Sequence, residues 1–198
     1  MERVLFRSAL FRLCFLLGLV FLIGACSPKL DWRTVQSPQE GYSALFPGKP
    51  ERLDRKIPYS GELIPQTLEA LKIDEDIYSI STVYLTKSQA SLAPTLLEQL
   101  QNILFKPAGV DNTSVISTDA QYQNSNRQRL PTKDYFLTFK DAGANAQSMR
   151  VRWITRVSAN GDVWIYQISV LHMSTTSKAA KQYFSEEPYT NFFDEFRL

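Results

Sequence analysis

The side chains that most often carry out chemistry are few in this chain of 198 residues. His172 is the only histidine, and the two cysteines are Cys14 and Cys26. Both cysteines lie in the first 26 residues, where we predict below that they are removed or acylated. A zinc site at His172 would therefore have to take carboxylates for its other ligands, which is an unusual set. The sequence has no Gly-rich phosphate loop and no Gly-x-Ser-x-Gly nucleophile turn. We therefore predict no catalytic residue, no metal site and no cofactor, and we predict that the protein is not an enzyme.

Three arginines form the surface that merits a functional hypothesis. Arg150, Arg152 and Arg156 lie at even positions of one predicted strand, so their side chains should share one face of a sheet. An ordinary solvated sheet face is one interpretation. The other is a surface that contacts anionic lipid headgroups, an envelope polyanion or an acidic partner.

One acidic group and the single histidine have simpler interpretations. Asp74-Glu75-Asp76 lacks the spaced oxygen ligands and the glycine of a calcium loop, so a solvated turn is expected there. His172 falls near the end of a predicted strand, where we expect a structural role.

The first 25 residues have the order of a secretory signal. Arg3, Arg7 and Arg12 supply a positive start, Leu13 to Ile23 is uncharged and strongly apolar, and two small residues follow. The apolar stretch is shorter than the about 20 residues that a transmembrane helix needs. An uncleaved anchor helix is the alternative that this composition leaves open.

The end of this segment, Leu22-Ile23-Gly24-Ala25-Cys26, resembles the lipobox of bacterial lipoproteins. The resemblance implies cleavage before Cys26 and acylation of that cysteine, with palmitate among the acyl chains. It departs from the usual pattern in having Ile23 three residues before the cysteine, where leucine is usual. We predict a signal peptide at 1–25, a short lipid tether at 26–30 and one domain at 31–198. A cleaved signal without lipid is the remaining alternative.

The expected location follows from the same resemblance. Two or three acyl chains would hold the protein at the exported face of a membrane. In lipoproteins an Asp after the cysteine often marks retention in the inner membrane. Ser27 therefore favours the periplasmic side of an outer membrane, if the cell has one.

The charge of the exported part is balanced. Loss of Arg3, Arg7, Arg12 and Glu2 from the 22 basic and 20 acidic residues leaves 19 of each. A neutral domain is not built to attract nucleic acid. Because Cys14 would be removed and Cys26 acylated, we expect no disulfide.

Hydrophobic periodicity predicts an α+β domain, an antiparallel β-sheet with helices packed on it. Leucines at helical spacing predict a helix over Ser91 to Lys106. Residues from Ser174 onward predict a first C-terminal helix, and aromatic residues from Tyr189 to Phe196 predict a second after Pro188. Strands are predicted at Trp32 to Gln36, Tyr42 to Phe46, Arg52 to Ile57, Ile64 to Ile73, Ile77 to Thr86, Val115 to Gln123 and Phe136 to Lys140.

A hairpin is predicted around Asn160-Gly161, which favours a two-residue type I′ turn. In that register Val157 faces Trp164, and Arg152 faces Ser169. A slip by one residue would place the arginines opposite large apolar residues and bury their charge, which argues against it.

The order of these elements resembles exported bacterial proteins of the PsbP/Mog1-like kind. The resemblance rests on Phe46-Pro47-Gly48-Lys49-Pro50 after an early strand, a helix, a long hairpin, and the closing run from Phe192 to Leu198. It implies a sheet with helices on its faces and a non-catalytic role, and it transfers no site residue. We expect a non-enzymatic binding or assembly module of the cell envelope, with a protein partner. A carrier of a small apolar ligand and an unrecognised hydrolase are the alternatives.

Overall fold

Segments with the two-residue period of β-strands form one large antiparallel sheet. The computed structural model describes residues 30–139, 146–174 and 176–198. The predicted signal peptide, Cys26 and most of the predicted tether lie outside the described residues. Residues Trp32–Leu198 form one compact unit. The α+β prediction is confirmed at this level of detail.

Nine strands and three α-helices are described. A two-stranded sheet pairs β1 with β2, and a seven-stranded sheet has the order β3-β4-β5-β9-β8-β7-β6, with every neighbouring pair antiparallel. The strands are β1 (Arg33–Ser37), β2 (Tyr42–Phe46), β3 (Glu51–Tyr59), β4 (Glu62–Ile73), β5 (Asp76–Leu85), β6 (Ile116–Gln123), β7 (Arg129–Phe139), β8 (Gln147–Val157) and β9 (Val163–His172). The helices are α1 (Ala93–Phe105), preceded by a 3-10 turn (Lys87–Leu92), then α2 (Ala180–Tyr183) and α3 (Glu187–Asp194).

Helix α1 covers one face of the large sheet. Pro94 lies in its first turn, where a proline costs no hydrogen bond. Its residues Leu96 and Phe105 are fully buried. They pack in two clusters whose strand members are Ile64, Val83, Leu85, Val163 and Ile165 in one, and Leu137, Met149, Val151 and Trp153 in the other. The leucine stripe is therefore a packing face, as predicted.

The opposite face lies against the β1–β2 hairpin and the two C-terminal helices. Phe192, Phe193 and Phe196 are fully buried there, and Phe192 meets Phe46 of β2 with ring centroids 5.1 Å apart. Backbone hydrogen bonds join Ser43 and Arg197 in both directions at 2.9 Å. The predicted aromatic stripe thus holds the end of the chain against the sheet.

The register predicted for the β8–β9 hairpin is wrong by one residue. Val157 pairs with Val163 and Arg152 pairs with Ile168. The turn has three residues, closed by hydrogen bonds from the Ser158 amide to the Asp162 carbonyl (2.9 Å) and from the Gly161 amide to the Ser158 carbonyl (3.0 Å). Gly161 has a φ of +91°, whereas Asn160 is not among the residues with positive φ.

That geometry is a three-residue hairpin in which only the glycine takes the left-handed conformation. A type I′ turn would need positive φ at both central residues. The protein therefore does not have the two-residue turn. Each residue of β8 pairs with a β9 residue one position away from the predicted partner.

Candidate functional site

The three arginines of β8 do not form the exposed face that the sequence predicted. Arg150 is 6% exposed and Arg152 is 0% exposed, while Arg156 is half-buried. The one-residue shift of register places them on the sheet face that the C-terminal helices cover. Their charges are accepted in the interior because Asp134, on the neighbouring strand β7, is buried beside them.

Asp134 binds both buried guanidinium groups. Its Oδ1 lies 2.6 Å from Nε of Arg152, and its Oδ2 lies 2.6 Å from Nη2 of Arg150. The carboxylate also accepts a bond from Nη2 of Arg152 at 3.0 Å. One carboxylate therefore bridges two cations, which is the arrangement that makes burial of charge tolerable.

Both arginines also bond the C-terminal helices. Arg150 donates to the Phe184 carbonyl at 3.0 Å, and Arg152 donates to the Phe193 carbonyl at 2.7 Å. The Arg150 guanidinium lies 4.1 Å from the centre of the Phe193 ring. Burial lowers the pKa of Arg150 from its ordinary value, and the charge of Asp134 opposes that shift. The cluster of Asp134, Arg150 and Arg152 thus joins the sheet to the carbonyl ends of both helices.

A cavity of about 490 Å³ opens beside this cluster, between edge strand β6 and the end of α3. Asp134, Arg150 and Arg152 contribute to its lining. We call it the β6 cavity. Its other lining residues are Thr118, Asp119, Ala120, Gln121, Tyr122, Gln123, Arg129, Asp194, Glu195 and Arg197. The lining is polar and contains charges of both signs.

The edge of β6 contributes backbone groups as well as side chains. Arg152 donates to the Gln121 carbonyl at 3.2 Å, and the Leu198 amide donates to the Gln123 carbonyl at 2.9 Å. Arg197 forms a parallel bridge with Gln123. The end of the chain thus already pairs with the outer edge of this strand, which shows that the edge can accept an extended segment.

Arg156 lies apart from the other two arginines. Its guanidinium is 4.3 Å from the centre of the Trp164 ring and donates to the Gly41 carbonyl at 3.2 Å. Gly41 has a φ of +72°, and a Cβ there would lie 2.5 Å from Nη1 of Arg156. The positive φ favours glycine at this turn, and any larger residue would also displace the end of the Arg156 side chain.

His172 is placed near the end of β9 in a hydrogen-bonded network. Its Nδ1 lies 2.8 Å from Oδ1 of Asp76 and 2.9 Å from the Tyr183 hydroxyl. Its Nε2 lies 3.2 Å from Oγ of Ser174. The Tyr189 hydroxyl donates to Oδ2 of Asp76 at 2.8 Å. The Tyr189 hydroxyl also lies 2.7 Å from the Tyr183 hydroxyl, and burial, together with the bonds to Tyr183 and Asp76, raises the pKa of Tyr189 above its ordinary value.

The network matches the structural role predicted for His172, because it ties β5 and β9 to α2 and α3. It also places Asp76, one of the acids predicted to lie in a solvated turn, against the histidine. The order carboxylate, imidazole and hydroxyl is also that of a hydrolytic triad. None of the three cavities described lies at these residues.

Sequence reasoning missed Asp134, which organises the site. A partial signal was present, since Asp134 directly precedes the apolar run from Tyr135 to Leu137 in β7, and Arg150 and Arg152 alternate with apolar residues in β8. Opposite charges at interior positions of two adjacent strands indicate a buried ion pair. The sequence does not state which strands are adjacent, so the pairing could not be assigned.

Among residues 30–139, 146–174 and 176–198, no group of three or more histidine, cysteine, aspartate or glutamate side chains could hold a metal ion. No helix within those ranges is long and apolar enough to span a membrane. The sequence matches no protein-family model, and no curated protein matches it significantly.

Proposed function

We propose that this chain is a lipid-anchored, non-enzymatic binding module of a bacterial cell envelope. The order of residues up to Cys26 supports an acylated N-terminus, with palmitate among its acyl chains. Ser27 favours the periplasmic side of an outer membrane. Six residues lie between Cys26 and the start of β1 at Arg33, so an extended tether would reach about 25 Å over the seven residue steps. We infer that the domain works close to the membrane surface.

The single observation that supports a binding role best is the β6 cavity. It combines a fixed polar floor, Asp134 with two buried arginines, and a rim with exposed charged residues from β6 (Asp119), β7 (Arg129) and the C-terminal segment (Asp194, Glu195 and Arg197). Polar, preformed concave sites at a sheet edge suit a protein segment that supplies hydrogen bonds and charges of both signs. The mixed charge does not favour nucleic acid. The polar lining also does not favour a small apolar ligand.

We further propose that the domain belongs to the PsbP/Mog1-like group. The support is an antiparallel sheet with helices on both faces, and a last helix whose phenylalanines pack on the sheet. Under this proposal the domain acts through contacts with a protein partner of the envelope rather than through catalysis.

The experiment compares two variants of the lipidated protein, each co-purified with its partner from the native membrane. In one of them the charges at the rim of the β6 cavity are exchanged. The variant Asp119→Lys with Arg129→Glu changes the rim without changing the net charge, and both side chains are exposed. The matched control, Glu51→Lys with Lys56→Glu, exchanges exposed charges on the opposite edge strand β3. We expect the rim variant to lose the partner and the control to retain it. Equal recovery from both variants would refute the β6 cavity as the binding site.

Hydrolase activity is the second candidate, because Ser174, His172 and Asp76 stand in hydrogen-bonded order. A fluorophosphonate probe reacts with activated serines, and Ser174→Ala is the control. Labelling of the natural sequence but not of Ser174→Ala would replace the non-enzymatic proposal. We expect no difference between them, because the Tyr183 hydroxyl also lies on Nδ1 of His172 and no described cavity admits a substrate there.

A further inference from the structure

Strand β6 ends the seven-stranded sheet on one side, and its backbone bonds β7 in a regular register over all eight residues. In an antiparallel ladder, residues that bond the neighbouring strand alternate with residues whose amide and carbonyl point away from it. The Gln121 carbonyl accepts a bond from Arg152, and the Gln123 carbonyl accepts one from the Leu198 amide. Neither donor belongs to β7, so Gln121 and Gln123 are residues that point outward.

The same alternation makes Ser117 and Asp119 outward residues. In the part of the chain that the structure describes, no hydrogen bond reaches the backbone amide or carbonyl of either residue, and none reaches the Gln121 amide. Asp119 and Gln121 are exposed and line the β6 cavity, so a ligand can reach this edge from solvent. A row of unpaired backbone groups on an outer strand is the template that an added strand uses.

The two outer strands of the sheet differ in their protection against pairing. Strand β3 reads ERLDRKIPY, in which five of nine residues are charged and Pro58 has no amide to donate. Strand β6 reads ISTDAQYQ, which has one charge in eight residues and no proline. Charged side chains and prolines are the usual means by which proteins keep sheet edges from pairing. Of the two edges, β6 is therefore the one left open to an added strand.

Asp119 indicates one side chain that the added strand should supply. Its carboxylate is 95% exposed, and its ion pair with Nζ of Lys133 is loose, at 3.9 Å. The residue directly opposite Asp119 on an added strand has its side chain on the same face of the sheet. A lysine or arginine at that position would lie beside the carboxylate.

Ile116 indicates a second side chain. It lies at the start of β6, on the other face from Asp119, and it is 60% exposed. On an antiparallel strand the residue opposite Ile116 follows the residue opposite Asp119 by three positions. An apolar residue there would cover the isoleucine. The open edge thus fits an extended segment with the pattern basic-x-x-apolar.

A second copy of this chain does not offer that pattern through β6. In antiparallel self-pairing, outward residues bond only with outward residues. The outward residues of the other copy over this stretch are again Ser117, Asp119 and Gln121, and none of them is basic. The charge of Asp119 therefore favours a different protein over a copy of the same chain.

We propose that the edge of β6 from Ile116 to Gln121 accepts an extended segment of a protein partner as an additional antiparallel strand. The segment has a basic residue opposite Asp119 and an apolar residue three positions later. The residues on either side of the basic one lie opposite Thr118 and Ala120 and face the β6 cavity. This inference rests on the proposed function, because it states how the partner of that cavity is held.

The test uses the full chain in detergent and the peptide acetyl-Thr-Thr-Lys-Thr-Thr-Val-Thr-amide. Residue-resolved hydrogen exchange by NMR reports which backbone amides the peptide covers. At millimolar peptide we expect slower exchange of the Ser117, Asp119 and Gln121 amides. The control peptide has an N-methyl group on its lysine, which removes one backbone donor and keeps every side chain. We expect it to leave the exchange of these amides unchanged, because strand pairing needs that donor.

A charge exchange tests the basic residue. A second peptide has glutamate in place of lysine, and the natural sequence should bind it about fivefold more weakly than the lysine peptide. The variant Asp119→Lys should reverse this preference. The matched control, Glu51→Lys, changes an exposed charge on the other outer strand and should keep the natural preference.

Three results would overturn the proposal. They are unchanged exchange of the β6 amides at millimolar lysine peptide, equal protection by the N-methylated peptide, or self-association of the chain that protects these amides without any peptide. If the rim variant loses its partner but no peptide protects β6, the β6 cavity stands as a binding site and strand addition is refuted. If peptides protect β6 but the rim variant keeps its partner, the strand site stands and the proposed function of the cavity is refuted.

Discussion

At the residue scale, Asp134 determines whether the interior can hold two guanidinium groups. It bonds Arg150 and Arg152 directly, and both arginines are buried beneath the C-terminal helices. Arg152 has a further ionic neighbour, Asp194, at 3.4 Å, but that side chain is 63% exposed and contributes little. The stability of this region therefore depends on one carboxylate.

The substitution Asp134→Ala should leave two buried cations without their main acceptor. We expect a loss of about 3–5 kcal/mol in the free energy of unfolding, as found when one partner of a buried ion pair is removed. Urea denaturation measures it. Asp119→Ala is the control, because that carboxylate is exposed and lies 3.9 Å from Nζ of Lys133, and it should change stability by less than about 0.5 kcal/mol. A loss below about 1 kcal/mol for Asp134→Ala would contradict the assigned role.

Asp111 gives a prediction about pH. Its Oδ1 accepts bonds from the hydroxyl groups of Thr113 (2.7 Å) and Ser114 (2.8 Å) and from both their amides (2.9 Å each). These bonds hold the pKa of Asp111 well below its ordinary value. A depressed pKa adds stability above the ordinary value, near 4, and that stability is lost as the pH falls toward the folded-state pKa.

We therefore expect Asp111→Asn to flatten the acid limb of the stability profile. Chemical denaturation at a series of pH values below about 4.5 measures this limb. Asp119→Asn serves as the reference, since that side chain is 95% exposed and accepts no comparable set of bonds. If the two variants lose stability in parallel as the pH falls, the hydrogen bonds of Asp111 do not act as described.

At the element scale, the β8–β9 hairpin shows what local sequence rules can and cannot determine. The turn position at Asn160-Gly161 and both strands were predicted correctly. The register was not, because the argument against burying arginine used only the two strands of the hairpin. The compensating carboxylate lies on β7, and it becomes a neighbour only when the sheet forms.

The turn type can be tested through its two central residues. In the three-residue turn only Gly161 has positive φ, so Gly161→Ala should cost about 1–2 kcal/mol, whereas Asn160→Ala should cost less. Thermal unfolding of the two variants gives the comparison. In a two-residue type I′ turn both positions have positive φ, and similar losses at both would favour that turn instead.

The positions of individual helices and strands were better predicted than the pairing of residues far apart in the sequence. The helix expected over Ser91 to Lys106 was found at Ala93–Phe105, and β2 was found at its predicted bounds. Periodicity and proline positions are local, so the sequence specifies them directly. The site could be predicted only in its parts: Arg150 and Arg152 were singled out, but their burial, Asp134 and the β6 cavity depend on strand order.

At the scale of the whole molecule, the polar β6 cavity lies on the sheet face that the C-terminal segment covers. The opposite face is covered in part by α1, which packs on two apolar clusters. A domain with balanced charge has no large field to steer ligands, so under the proposed function recognition depends on the β6 cavity and on where the protein is held. Attachment at Cys26 is therefore central to the proposed function.

Mass spectrometry of the protein purified from its natural source tests this attachment most directly. The proposed function predicts an N-terminal peptide that begins at Cys26 and has the added mass of a diacylglyceryl group, with or without a further acyl chain. Replacement of Cys26 by serine should abolish that mass and release the protein from the membrane. An N-terminal peptide that retains residues 1–25, or a Cys26 with a free thiol, would contradict it.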